Sequence, residues 1–147
     1  MIVDKNLVFC EDMSLIASGS GTAYGTDTLD LGDEVHLGVG MPLWVIVQME
    51  KGLAGGNVTV QLRTGSGVNG SGRINAGAVT YAQSGAISPA DMAAGDRFCF
   101  AVNLYPDKLK RYVEVGFQRS AAITAGEVTA FLSNQLPAWA PQADATN

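Results

Sequence analysis

The sequence predicts an all-β fold: an antiparallel jelly roll or β-sandwich of about eight short strands, with extended arms at both ends. Three observations carry that prediction. There are 18 glycines in 147 residues and only 16% charged residues, a composition that suits many strands joined by tight turns. Apolar and polar residues alternate with a period of two in one segment after another, which sends successive side chains to opposite faces of a sheet. Helical spacing is confined to residues 89–94. The length fits a single domain, and 47% hydrophobic residues are enough to build its core.

Residues 28–31 are a weak strand candidate. Residues 43–50 open with Leu43, Trp44, Val45, Ile46 and Val47, apolar on both faces. A strand of that kind is covered on both sides, here by the core and by a neighbouring subunit. Residues 57–64 place Val58, Val60 and Leu62 on one face and Asn57, Thr59, Gln61 and Arg63 on the other. Residues 65–77 read as a long Gly- and Ser-rich loop, too poor in apolar residues for a core of its own and therefore mobile or ordered by a partner. Residues 78–82 are again a weak strand. In residues 89–94 a turn of helix is expected, with Ser88 as N-cap, Pro89 in the first turn and Gly95 as terminator.

Alternation then returns. Phe98, Phe100, Val102 and Leu104 point inward from residues 98–104. From residues 111–119, Val113, Val115 and Phe117 face in while Glu114, Gly116 and Gln118 face out. Within residues 127–132, Val128, Ala130 and Leu132 oppose Glu127, Thr129 and Phe131. The chain thus divides into a jelly-roll domain, residues 1–136, and a C-terminal arm, residues 137–147. In the arm Pro137 and Pro141 flank Trp139, which favours an extended polyproline-like course carrying one large apolar anchor.

The composition removes much chemistry. A single histidine, His36, and two distant cysteines, Cys10 and Cys99, cannot supply the paired ligands of a zinc site. The thiols are expected to be reduced, with a Cys10–Cys99 bridge as the alternative. Asp27, Asp30, Asp33 and Glu34 lack calcium-loop spacing and read as a solvated strand end. Gly65, Gly67 and Gly70 match G-x-G-x-x-G literally, but no helix is predicted to follow, so no dinucleotide or other cofactor is expected. No G-x-S-x-G elbow accompanies His36, so a hydrolase is disfavoured and the protein is expected not to be an enzyme. A net charge of −5 disfavours nucleic acid. Residues 43–47 are far too short to span a bilayer, and no signal sequence is read at the N-terminus, so no membrane partner is expected.

Four stretches resemble the jelly-roll capsid cement proteins of short-tailed bacteriophages. They are residues 1–14 (MIVDKNLVFCEDMS), 26–32 (TDTLDLG), 37–40 with 42–48 (LGVG, PLWVIVQ), and 104–116. The resemblance covers most of the chain in order and is strongest in its first third; it rests on no catalytic motif. It implies a decoration protein on the outer head surface, made in the host cytoplasm, that bridges major capsid proteins against internal DNA pressure. It also implies self-association, with a homodimer favoured and a trimer as the alternative. Candidate inter-subunit or capsid contacts are Met1, Ile2, Val3, Trp44, Pro137, Trp139 and Pro141, apolar residues at the chain ends and on the doubly apolar strand. The alternative is a carbohydrate-binding jelly-roll adhesion module using Trp44, Tyr24 or Tyr81 as a sugar platform.

Overall fold

The computed structural model describes residues 7–31, 43–102 and 109–133. Its strands are β1 (Val8–Ser14), β2 (Gly21–Tyr24), β3 (Leu29–Asp30), β4 (Leu43–Gly55), β5 (Val58–Gly65), β6 (Gly67–Val68), β7 (Ile74–Ala76), β8 (Val79–Gln83), β9 (Arg97–Val102), β10 (Tyr112–Arg119) and β11 (Ile123–Ser133). Sheet A has the order β1-β11-β4-β9, and sheet B the order β2-β10-β5-β8, with β3 also pairing β10. All these pairings are antiparallel. In each sheet, early strands alternate with late ones, the chain's first and last strands lying side by side. This is jelly-roll topology, as the alternation predicts.

The two sheets bury one core between them. Sheet A contributes Phe9, Val45, Val47, Met49, Val128 and Ala130, and sheet B contributes Val58, Val60, Leu62, Val113, Val115 and Phe117. Phe98 and Phe100 pack against this core from β9. Each fully buried aliphatic or aromatic side chain contributes about 1.5–3 kcal/mol, so the period-two pattern is the main determinant of the fold.

Three segments depart from expectation. The Gly-rich segment 65–77 is neither loose nor left waiting for a partner: β6 and β7 make a small hairpin, with Gly67 opposite Ala76 and Val68 opposite Ile74. Its turn is closed by the Asn69 side chain, whose Oδ1 accepts from the Ser71 and Arg73 amides, both at 3.0 Å. Gly65 is required there because a Cβ would collide with Ile74. The G-x-G-x-x-G spacing therefore serves a hairpin, and no helix follows Gly70. The helical turn is only a 3-10 turn, Pro89–Asp91, and Ser88 Oγ bonds the Asp91 carboxylate rather than a backbone amide. Finally, β1 is a full strand that alternation does not reveal. Register shifts at Val8/Cys10 and Cys10/Met13 bring both Phe9 and Cys10 into the core, and Asp12 takes φ +48°.

Both cysteines are free. Cys10 lies in the core and Cys99 on the other face of sheet A, so the sheet itself separates them.

Candidate functional site

The outer faces of the two sheets differ in chemistry, and each is built by the same alternation that fills the core. On sheet A the register carries one apolar row across all four strands. Val8 lies opposite Phe131, Phe131 opposite Ile46, and Ile46 opposite Cys99. Trp44, two residues before Ile46 and opposite Ser133 and Ala101, joins the same face. These five residues form a second hydrophobic cluster apart from the sandwich core. Ile46 is 0% exposed, Phe131 5% and Val8 7%, while Trp44 and Cys99 are only partly buried. Burial pushes the Cys99 thiol up from its ordinary value, which keeps it protonated and a poor nucleophile at neutral pH. Towards the other end of the strands the face turns polar: Gln48 opposes Thr129, and Lys51 Nζ donates to Glu127 at 2.7 Å.

The outer face of sheet B is polar throughout and carries a compact charged group. Glu114 projects outward between the core-facing Val113 and Val115, as the alternation places it, yet it is 1% exposed. The expectation of a solvated residue fails because two arginines cover it. Arg63, its cross-strand partner, donates from Nη1 to Glu114 Oε1 at 3.2 Å. Arg73, from the β6–β7 hairpin, lies with Nη1 3.8 Å from Glu114 Oε2 and donates from Nη2 to the Tyr24 carbonyl at 3.1 Å. Both guanidiniums also lie over the Tyr24 ring, 4.8 and 5.0 Å from its centroid. Gly116 leaves room beside the group: a Cβ there would come within 3.1 Å of the Thr22 methyl, a tight approach, and within 3.5 Å of the Tyr24 ring, an ordinary contact. Gln61 completes the face, donating to Gln118 at 3.1 Å and to Gln83 at 3.4 Å.

Of the contact residues chosen from sequence, Trp44 sits on the apolar face. Met1, Ile2, Val3, Pro137, Trp139 and Pro141 lie outside the described residues, as do His36, Asp33 and Glu34. Asp30 is held by Arg111 through two bonds, 2.8 and 2.9 Å. Asp27 instead lines a shallow depression of about 300 Å³ with Val8, Glu11 and Thr26. Among the described residues no group of three or more His, Cys, Asp or Glu could hold a metal ion. The three aromatics of the sugar-platform reading do not share a face: Trp44 is on sheet A, Tyr24 on sheet B beneath arginines, and Tyr81 packs against the core. No helix of the described residues is long and apolar enough to cross a membrane.

Sequence reasoning missed the Arg63–Arg73–Glu114–Tyr24 group. Arg63 and Glu114 each occupy outward positions, but nothing in the linear pattern pairs them. Arg73 lies inside the Gly-rich segment whose folding was not foreseen.

Comparison with known proteins places the chain. Residues 17–132 match the model of a family described as Bbp16, which is phage-associated. No curated protein matches the chain.

Proposed function

The chain belongs to the Bbp16 family, and on that premise we propose that it is a capsid cement (decoration) protein. In this reading it is made in the host cytoplasm, binds the outer surface of a phage head and bridges major capsid proteins. It acts as a homo-oligomer, with a homodimer favoured. The observation that carries the reading is the apolar outer face of sheet A, a second hydrophobic cluster on a jelly roll whose core is already complete. Val8, Ile46 and Phe131 are themselves buried, so the part of this face that suits association is its partly buried rim, Trp44 and Cys99. Its open end is marked by Trp44, the residue type most enriched among interface anchors. Resemblance of residues 1–14 and 42–48 to phage cement proteins points the same way.

The mechanism is differential binding. A protein that binds the assembled shell and not free subunits stabilises the shell by mass action. Repetition over the lattice lets modest interfaces act together. The contact set comprises Trp44 with Met1, Ile2, Val3, Pro137, Trp139 and Pro141.

Purified protein mixed with heads assembled without it should cosediment with them and raise the temperature at which they release DNA. Failure to cosediment at micromolar concentration contradicts the reading. A chain lacking residues 137–147 should bind more weakly; equal binding and equal heat protection remove the arm from the contact set.

A further inference from the structure

An edge strand carries a row of amides and carbonyls turned away from its own sheet. Three of the four edges of this sandwich are blunted. β1 is broken by two register shifts, and Asp12 within it takes φ +48°. β8 carries a register shift opposite Leu62 and Arg63. The other edge of sheet B is divided between β2 and β3, of four and two residues. β9 is different. It pairs β4 residue by residue over Arg97–Val102 without a shift, and it holds no proline, no glycine and a single charge. With four strand positions in each sheet the jelly roll is complete, and β9 ends sheet A with β4 as its one neighbour among the described residues.

The hydrogen-bond phase of β9 follows from its first contact. Met49 donates to the Asp96 carbonyl and accepts from the Gly95 amide, both at 2.8 Å, a bulge that Gly95 allows with φ +84°. Bonded and non-bonded pairs alternate along an antiparallel ladder. Phe98, Phe100 and Val102 therefore bond to β4, while Arg97, Cys99 and Ala101 turn their backbone groups outward. That outward set is symmetric about Cys99. Ala101 is exposed, and Phe98 and Phe100 are only half-buried although they pack on the core.

We propose that β9 pairs antiparallel with β9 of a second copy of this chain, about a two-fold axis at Cys99. The proposal rests on the homo-oligomer of the proposed function and names its interface. A second copy fits because the edge complements itself. Cys99 meets the partner's Cys99 as a bonded pair that exchanges two hydrogen bonds. Arg97 meets the partner's Ala101, so the lone charges of the two strands stand apart. Phe98 meets the partner's Phe100 on the core side, and this pair, made twice, extends the core across the seam. Centring on Phe98 or Phe100 instead leaves one outward residue of each strand without a match within β9. The axis stands perpendicular to the sheet, so both outer faces of sheet A lie on one side of an eight-stranded sheet, about 34 Å across. Such a dimer presents two Trp44 rims to one surface, the geometry for bridging neighbouring subunits of a shell.

Cys99 reports the pairing directly. A bonded antiparallel pair holds its Cα atoms about 5.5 Å apart, within the range that a disulfide spans. Cys10 is wholly buried and cannot compete. Copper phenanthroline, added to the purified full chain, should take one electron and one proton from each Cys99 thiol and join most chains as reducible Cys99–Cys99 dimers. Cys99→Ser should abolish them. A chain that is dimeric by light scattering but gives no Cys99–Cys99 bond overturns the inference and leaves the proposed oligomer to another interface. A chain that is monomeric at micromolar concentration overturns the inference and the proposed oligomer together. Charge reversal tests the register. Ala101→Arg sets a like charge against the partner's Arg97 and should weaken the dimer about tenfold, and adding Arg97→Glu should restore it. Undiminished dimerisation of Ala101→Arg overturns the register and with it the inference. So does a lack of rescue in a double variant whose circular dichroism is native. Heads enter none of these readouts, so the cement reading can fail while this interface stands, and the reverse.

Discussion

The two outer faces of the sandwich are made by the same rule and end in opposite chemistry. On sheet A, alternate residues of β1, β11, β4 and β9 put Val8, Phe131, Ile46 and Cys99 in a row. On sheet B, alternate residues of β10 and β5 put Glu114 against Arg63 and group the glutamines Gln61 and Gln118. Sheet B satisfies itself in part: Glu114 Oε1 accepts from Arg63 and the glutamine amides meet each other, while Glu114 Oε2 and Arg73 Nη1, 3.8 Å apart, are buried without a hydrogen-bond partner. Sheet A's outer row instead gathers into an apolar cluster, whose members at the rim, Trp44 and Cys99, are only partly out of water. The difference teaches that the jelly roll supplies the scaffold, while the outward residues decide which side is meant to be covered.

The largest expected effect tests whether sheet A's outer face is a buried surface. Phe131→Ala should cost about 3–5 kcal/mol in denaturant unfolding, the range for deleting a buried phenylalanine. A cost under about 0.5 kcal/mol would make this an ordinary solvated face and dissolve the contrast.

The next effect uses the two thiols that sheet A keeps apart. Burial pushes Cys10 up from 9.0 to about 12. The folded state thus holds its proton after the unfolded chain has lost it, so stability is intact below about pH 9 and falls as pH rises towards 12. Three pH units correspond to about 4 kcal/mol at full expression. A Cys10→Val variant should lose that part of the alkaline slope. An identical slope in parent and variant would refute the assignment. Cys99, on the outer face, should alkylate under native conditions while Cys10 does not.

On sheet B, Arg63→Ala leaves the buried Glu114 charge with only the more distant Arg73 and should cost about 3 kcal/mol. Adding Glu114→Gln should recover most of that loss. Additive losses in the double mutant would mean that the pair is not coupled. The smallest effect is the control: Gln118→Ala on the solvated amide cluster should change stability by less than about 0.5 kcal/mol. A larger cost would give sheet B a covered surface too.

Much of this was legible in the sequence. Alternation alone assigns Val58, Val60 and Leu62 inward, Phe131 outward, and both faces of β4 to apolar surroundings; the structure agrees at each. Other features were hidden for physical reasons. Strand β1 carries register shifts, so Phe9 and Cys10 both turn inward and the period of two is lost. The hairpin of residues 65–77 draws its order from a local turn closed by Asn69, which its Gly- and Ser-rich composition masks, and from Arg73 anchoring on Tyr24, a long-range contact that local composition does not encode. Glu114 reads as solvent-exposed until Arg73 arrives from that hairpin. Trp44 was legible as a contact candidate because a tryptophan on a doubly apolar strand stands out. The row that it belongs to needed the strand register.

The central claim is that the sheet A side is the surface offered to a phage head. Hydroxyl-radical footprinting of the protein, free and bound to heads assembled without it, tests that most directly. Oxidation of Trp44 should fall several-fold on binding, while Tyr24 and Tyr81 should change little. Protection of Tyr24 or Tyr81 with Trp44 unchanged, or no protection at any of the three, would contradict it.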